Sequence, residues 1–222
     1  MITVIIPTSD DEEDLAHALA ALAPAAMDGI VRDVIVVDGG SGDGTLTVAD
    51  EAGCGVVEGR GSAALMQAAE MARGDWLLFM SPATILEPGW QAEVLRFVER
   101  AVMAGTGRTS AASFRLRRPE AGLRPRIAES AAHFLSAPYG EQGLLLARDF
   151  YRSLGGHRDL PAMADVDIAR RIGRRRLTLL RAHGMVRQPE RRPGPARALR
   201  NAACVTLFVL RLPPRLIGRL AA

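Results

Sequence analysis

Asp38 ends an apolar run and opens a glycine-rich stretch, Asp38-Gly39-Gly40-Ser41-Gly42-Asp43-Gly44-Thr45. A carboxylate at a strand terminus can accept hydrogen bonds from a nucleobase N–H or a ribose hydroxyl, and glycines beside it let a ligand approach the backbone closely. Thr45 is placed to cap a following helix. A turn-rich connection that holds no ligand has the same composition, so this stretch alone leaves both readings open. A second glycine-rich stretch, Gly59-Arg60-Gly61-Ser62-Ala63-Ala64, matches G-x-G-x-x-A. A dinucleotide fold needs that pattern on its first strand, with an acid about 20 residues on. Here it follows the third expected strand, so close packing or a phosphate contact fits better than NAD. His17, His133, His157 and His183 share no metal-ligand spacing and read as surface or partly buried structural residues. Cys54 and Cys204 lie far apart and read as small apolar residues in a reducing compartment.

These residues need elements to position them, and the apolar pattern supplies a candidate series. Val4-Ile5-Ile6 is a short continuous apolar run of the kind found in a buried parallel strand. Acids then occupy what would be a first helical turn, and Leu15, Leu19 and Leu22 continue at helical spacing. The pattern predicts strands over residues 34–37, 55–58, 76–80 and 110–116, and helices over 46–52, 63–72 and from Pro88 to about residue 103. Strands alternating with helices imply an α/β fold with a mainly parallel sheet covered on both faces. Ligands of such sheets sit beyond the carboxyl ends of the strands, which singles out residues 8–10, 38–45, 59–62 and 81–86.

The chain has 222 residues, 28 arginines, no lysine and a net charge of +3. That charge is unevenly spread. Residues 1–169 carry 14 arginines against 24 acidic residues, a net −10, whereas residues 170–222 carry 14 arginines against Glu190 alone, a net +13. A basic tail favours an anionic partner such as lipid headgroups, although a solvated basic face gives the same pattern. It lacks the aromatic interleaving or motif expected of a nucleic-acid binder. The apolar stretch over residues 202–210 is too short to cross a bilayer, which needs about 20 residues. It can lie in a membrane interface or pack as a last helix on the core. No secretory signal opens the sequence, so the expected location is cytoplasmic, with peripheral attachment at the inner membrane as the tail's contribution.

Taken in order, several pieces resemble the family 2 glycosyltransferases of the GT-A fold, especially short bacterial members. They are Ile2-Thr3-Val4-Ile5-Ile6-Pro7-Thr8, the Val37–Thr45 stretch, Ala72-Arg73-Gly74-Asp75-Trp76-Leu77-Leu78-Phe79, Gly140-Glu141-Gln142-Gly143-Leu144, Leu154-Gly155-Gly156 and Met163-Ala164-Asp165-Val166-Asp167-Ile168-Ala169-Arg170-Arg171. The resemblance implies a GT-A-like, Rossmann-like nucleotide-sugar-binding domain over residues 1–173 and a basic helical extension over 174–222. It implies that Pro7, Thr8, Asp38 and Gly39 contact the nucleotide of a sugar diphosphate donor, that Arg60 faces its phosphates, and that Glu141 and Gln142 lie on the acceptor side. Asp165 matches the general base, the carboxylate that takes the acceptor's proton as the sugar C1 is attacked. Its residue-level alternative is a first-turn helix acid.

The chain also departs from that pattern. The family places a carboxylate for a divalent cation, Mg²⁺ or Mn²⁺, after the fourth strand, and here those positions are Ser81-Pro82-Ala83. A methyl group offers no hard oxygen ligand. A Gln-x-Asn pair is absent around Ala64 and Met66, and the family's Glu-Asp pair is Ala164-Asp165. Two functions follow as expectations: hexosyl transfer from a nucleotide sugar to an acceptor, or a catalytically inactive nucleotide-binding or scaffold protein on the same fold.

Overall fold

The computed structural model describes residues 1–117, 142–160 and 164–187. The elements in chain order are β1 (Ile2–Thr8), α1 (Glu12–Met27), β2 (Val31–Asp38), α2 (Thr45–Glu51), β3 (Gly55–Glu58), α3 (Gly61–Met71) and β4 (Trp76–Phe79). There follow β5 (Thr84–Leu86), α4 (Trp90–Met103), β6 (Ala111–Arg117), β7 (Leu144–Ala147), α5 (Arg148–Ser153), α6 (Ala164–Ile172) and β8 (Leu177–Val186). The eight strands form one sheet in the order β3-β2-β1-β4-β7-β6-β8-β5.

The first four strands run parallel, with Thr3 to Thr8 of β1 beside Asp33 to Asp38 of β2, and Ile2 to Ile5 beside Trp76 to Phe79 of β4. β4 and β7 lie near the middle of the sheet and every residue of each is buried. Strands covered on both faces read as unbroken apolar runs, as these do. Helix α1 turns Leu15, Ala18, Leu22 and Ala25 inward, and α4 does the same with Trp90, Val94, Phe97 and Ala101. These are the i, i+3 or i+4 spacings of a one-sided apolar stripe. Edge-to-face pairs of Trp76 with Phe97 and Trp90 with Phe114 carry α4 onto the sheet.

The second half of the sheet turns antiparallel: β7 opposes both β4 and β6, and β5 opposes β8, while β6 and β8 run parallel. The expected strands and helices of the first half are present, shifted by up to three residues at their ends, the most at the start of β2. The difference lies after residue 173. Residues 177–186, expected within a basic helical extension, form β8 between β6 and β5. Leu180, Gly184 and Val186 are buried there while the arginine Arg181 points to solvent. The strand itself holds one arginine, and the basic character of the region comes from its flanks, Arg174, Arg175, Arg176 and Arg187. Residues 188–222, with most of the expected tail, lie outside the described residues. No helix among the described residues is long and apolar enough to cross a membrane.

Candidate active site

The carboxyl ends of β1, β2 and β4 bring most of the candidate residues to one edge. Thr8 and Asp38 are register partners at the ends of β1 and β2, and both are buried. The Gly39 N–H donates to the Thr8 carbonyl at 2.8 Å, and the Gly59 N–H donates to the Asp38 carbonyl at 2.9 Å. Arg60, exposed at the start of α3, donates from Nε to the Gly39 carbonyl. Pro7 is exposed opposite Val37. Thr8, Asp38, Gly39 and Arg60 therefore form one contact set across three loops.

Asp38 organises its own loop. Its carboxylate accepts the Gly40 N–H at 2.9 Å, the Ser41 N–H at 3.1 Å and the Ser41 hydroxyl. Gly40 takes φ 84°, a left-handed conformation that a side chain would strain. Burial alone would push the carboxyl upward in pKa, but the bonds from Ser41 and Gly40 outweigh it and hold Asp38 below its ordinary value of 3.8. A ligand that engages this carboxylate must share or displace bonds from Ser41.

The neighbouring β1–α1 loop is stitched to the same stretch. Asp10, with φ 55°, accepts the Gly42 N–H at 2.7 Å, and its own N–H donates to the Ser41 hydroxyl at 3.0 Å. The Glu12 N–H donates to Asp43 at 3.1 Å, and the Gly44 N–H donates to Glu12 at 2.9 Å. Thr45 does not cap α2 with its side chain as its position suggested. Its hydroxyl accepts the Asp11 N–H at 3.0 Å and donates to Asp43. Hydrogen bonds between short polar side chains and loop N–H groups compete with helix capping, and here the inter-loop bonds win.

Ser81 and Ala83 follow β4. The Ser81 hydroxyl faces the Ala83 N–H at 3.3 Å, and the Ala83 carbonyl accepts the Arg187 N–H at 3.0 Å. That bond extends the antiparallel register of β5 and β8, in which Thr84 faces Val186, so Ala83 and Arg187 are cross-strand neighbours on one face. The Arg187 guanidinium pairs with Glu13 through one terminal nitrogen, while the other is buried without a hydrogen-bond partner. Among the described residues no group of three or more His, Cys, Asp or Glu side chains is arranged to hold a metal ion.

Gln142 is buried just before β7, its carbonyl 3.5 Å from the Ser113 hydroxyl and its amide nitrogen without a partner. The register that sets Leu144 against Phe79 brings this end of β7 toward the loop holding Ser81. Glu141 lies outside the described residues.

Asp165 stands in the first turn of α6 with 39% of its side chain exposed, its Oδ1 3.5 Å from Nε2 of His157. His157 is buried, not a surface residue: its Nδ1 lies 2.8 Å from the Tyr151 hydroxyl, and both rings pack on Phe79 at the end of β4. Burial pushes the Tyr151 hydroxyl up to about 12, so it stays protonated at any working pH. Two turns of α6 are tied down by Arg171, which pairs with buried Asp167 at 2.7 Å and donates to the carbonyls of Leu154 and Gly156. Sequence spacing did not flag His157, Tyr151 or Arg187, because each gains its partners through tertiary contacts.

A sequence profile described as Glycosyl transferase family 2 matches residues 3–151. The chain belongs to glycosyl transferase family 2. The fold agrees with that membership: a GT-A α/β sheet flanked by helices. A crystal structure of a mycobacterial protein is similar, with 23% identity, a TM-score of 0.65, and coverage of 96% of this chain and 75% of that one. Glucosyl-3-phosphoglycerate synthase from Mycobacterium tuberculosis, bound to Mn²⁺, UDP and glucosyl-3-phosphoglycerate, is similar at 20% identity and TM-score 0.62 over 96% of this chain and 81% of that one. The same synthase bound to UDP gives 20% identity and TM-score 0.61 over the same shares. At these identities the likeness is one of fold. No curated protein matches the chain.

Proposed function

We propose that the chain transfers a sugar from a nucleoside diphosphate sugar to a hydroxyl acceptor, with the nucleotide lying against Pro7, Thr8, Asp38 and Gly39. The observation that carries the reading is the contact set of Thr8, Asp38, Gly39 and Arg60 in a family 2 chain. In the reaction the bond from sugar C1 to the β-phosphate oxygen breaks and its electron pair leaves with the nucleoside diphosphate. The acceptor oxygen bonds to C1 and its proton passes to Asp165.

A leaving diphosphate needs positive charge near it. The loop after β4 does not fit a divalent cation: Ala83 offers a methyl group, and its carbonyl already accepts the Arg187 backbone N–H. Arg60 at the start of α3 and Arg187, across the strand from Ala83, supply the charge in this reading, and Gln142 serves the acceptor side. The net +13 of residues 170–222 further supports contact with an anionic lipid surface, where a lipid-linked acceptor would be met.

A thermal-shift screen of the full chain with UDP, GDP and UDP-glucose, each with and without Mn²⁺, tests the donor site. A ligand at 100 times its Kd stabilises by about 2.7 kcal/mol, which moves the melting temperature measurably. A nucleotide-dependent rise that Mn²⁺ leaves unchanged supports the reading, and no rise with any nucleotide overturns it. A rise without release of nucleotide from any sugar donor favours the binding-protein alternative, to which Ala83 and Ala164 also point.

A further inference from the structure

Resting on the reading of Asp165 as the proton acceptor, we infer that His157 is the positioning residue for that carboxylate, held in one tautomer by Tyr151. The hydrogen bonds run in one direction. The His157 backbone N–H donates to the Tyr151 oxygen at 3.1 Å. That hydroxyl keeps its own proton to donate, and Nδ1 of the same histidine lies 2.8 Å away. Nδ1 is thereby an acceptor, the ring proton sits on Nε2, and Nε2 faces Oδ1 of Asp165 at 3.5 Å. Which ring nitrogen carries the proton is set by the bond the other one makes.

The ring has little freedom to do otherwise. Its side chain is 1% exposed, and it meets Phe79 edge-on at 4.9 Å and Tyr151 at 5.5 Å between ring centres. A Cβ on Gly156 would meet Met66 at 2.9 Å and the Tyr151 hydroxyl at 3.3 Å, so the residue before His157 is pressed against the same group. Arg171 joins α6, which carries Asp165, to the carbonyls of Leu154 and Gly156 just before His157. Helix and loop are therefore tied together, and the imidazole meets the carboxylate from the buried side while 39% of Asp165 faces outward. At 3.5 Å the contact is open, as catalytic hydrogen bonds often are before substrate binds. The outward oxygen is left to the acceptor, while the inward one is steered by Nε2–H.

Two measurements on the full chain test this. With ¹⁵N-labelled histidine, the resonances lost in His157→Phe identify the ring, which should carry its proton on Nε2. Asp165→Asn should shift Nε2 and Tyr151→Phe should shift Nδ1. A proton on Nδ1, or a ring indifferent to Asp165→Asn, overturns the inference. Release of UDP from UDP-glucose gives the functional arm. His157→Phe should lower kcat about a hundredfold, the scale of an ångström of misplacement, with KM for UDP-glucose unchanged. His157→Gln, whose amide can offer a donor near the Nε2 position, should recover most of that loss. If Asp165→Asn is inactive but His157→Phe turns over within about twofold of wild type, the positioning role fails and the base stands. If Asp165→Asn releases UDP as fast as wild type, the base reading fails and takes the positioning role with it.

Discussion

The edge of the sheet proposed to face the nucleotide and the region around Asp165 are built in different ways. At the ends of β1 and β2, two loops satisfy each other: Asp10, Glu12, Ser41 and Asp43 accept N–H groups across the gap, and Asp38 closes its own turn. Each loop is short, and the bonds between them join segments 31 or 32 residues apart, while the Asp38 carboxylate bonds to Gly40 and Ser41 of its own turn. Around Asp165 the supports come from β4, α5, the loop before α6 and α6 itself, through Phe79, Tyr151, His157 and Arg171. A loop that satisfies its own polar groups can keep its shape without ligand. A carboxylate supported by distant rings depends on the packing of half the domain. The two regions should therefore fail differently when disturbed.

The largest effect is expected at Arg171. It is paired with buried Asp167 and bonded to two carbonyls, so Arg171→Ala takes the donor from both carbonyls and leaves Asp167 only its 3.6 Å pair with exposed Arg158, which should cost about 3 kcal/mol of stability. Chemical denaturation measures it, and a loss below about 1 kcal/mol would mean that α6 is held by other means. Asp165→Asn sharpens the contrast from the opposite side. Proton transfer contributes about 10²–10⁴-fold, so UDP release from UDP-glucose should fall by that range while the melting temperature hardly moves. If Asp165 serves only its helix dipole, activity persists and stability falls by at most about 1 kcal/mol.

The nucleotide edge should respond to acid. The folded pKa of Asp38 is lowered, so its contribution to stability is full above its ordinary value of 3.8 and disappears as pH falls through the folded value. Melting temperatures of wild type and Asp38→Asn should differ at pH 6 and converge as the pH drops below about 4. A constant difference down to pH 2 would show that the carboxylate's charge plays no part in the loop. The smallest effect belongs to the tail. Each arginine near an anionic surface contributes about 1 kcal/mol at low salt. The full chain should sediment with anionic vesicles more than a truncation after Gly194 does, and salt should weaken the difference. Equal sedimentation would assign the tail a structural or solvated role.

The first half of the fold is legible in the sequence because local pattern and tertiary position agree there. Val4-Ile5-Ile6 and Trp76-Leu77-Leu78-Phe79 are buried on both faces, and Leu15 and Leu22 fall on the inward stripe of α1. The rest depends on partners that are remote in the chain. β5 is three residues long, too short to carry a period, and exists as the edge strand paired to β8. β8 holds only Arg181 but lies between arginine-rich flanks, and its pairing with β6 and β5 is what makes it a strand. In the site, the Asp38 stretch announces itself through its glycines, and the family resemblance picks out Asp165. His157 reads as an ordinary histidine until Phe79 and Tyr151 are packed around it. Arg187 reads as one arginine of a basic tail until the β5–β8 register sets it opposite Ala83.

Calorimetric titration of UDP into wild type and Asp38→Ala, each with and without Mn²⁺, tests the central claim most directly. Wild type should bind UDP with nearly the same Kd in the presence and absence of Mn²⁺, and Asp38→Ala should bind at least about tenfold more weakly, a loss of roughly 1.4 kcal/mol. Equal affinities for the two proteins would remove Asp38 from the donor site, and a large gain in wild-type affinity on adding Mn²⁺ would contradict a guanidinium in place of the metal.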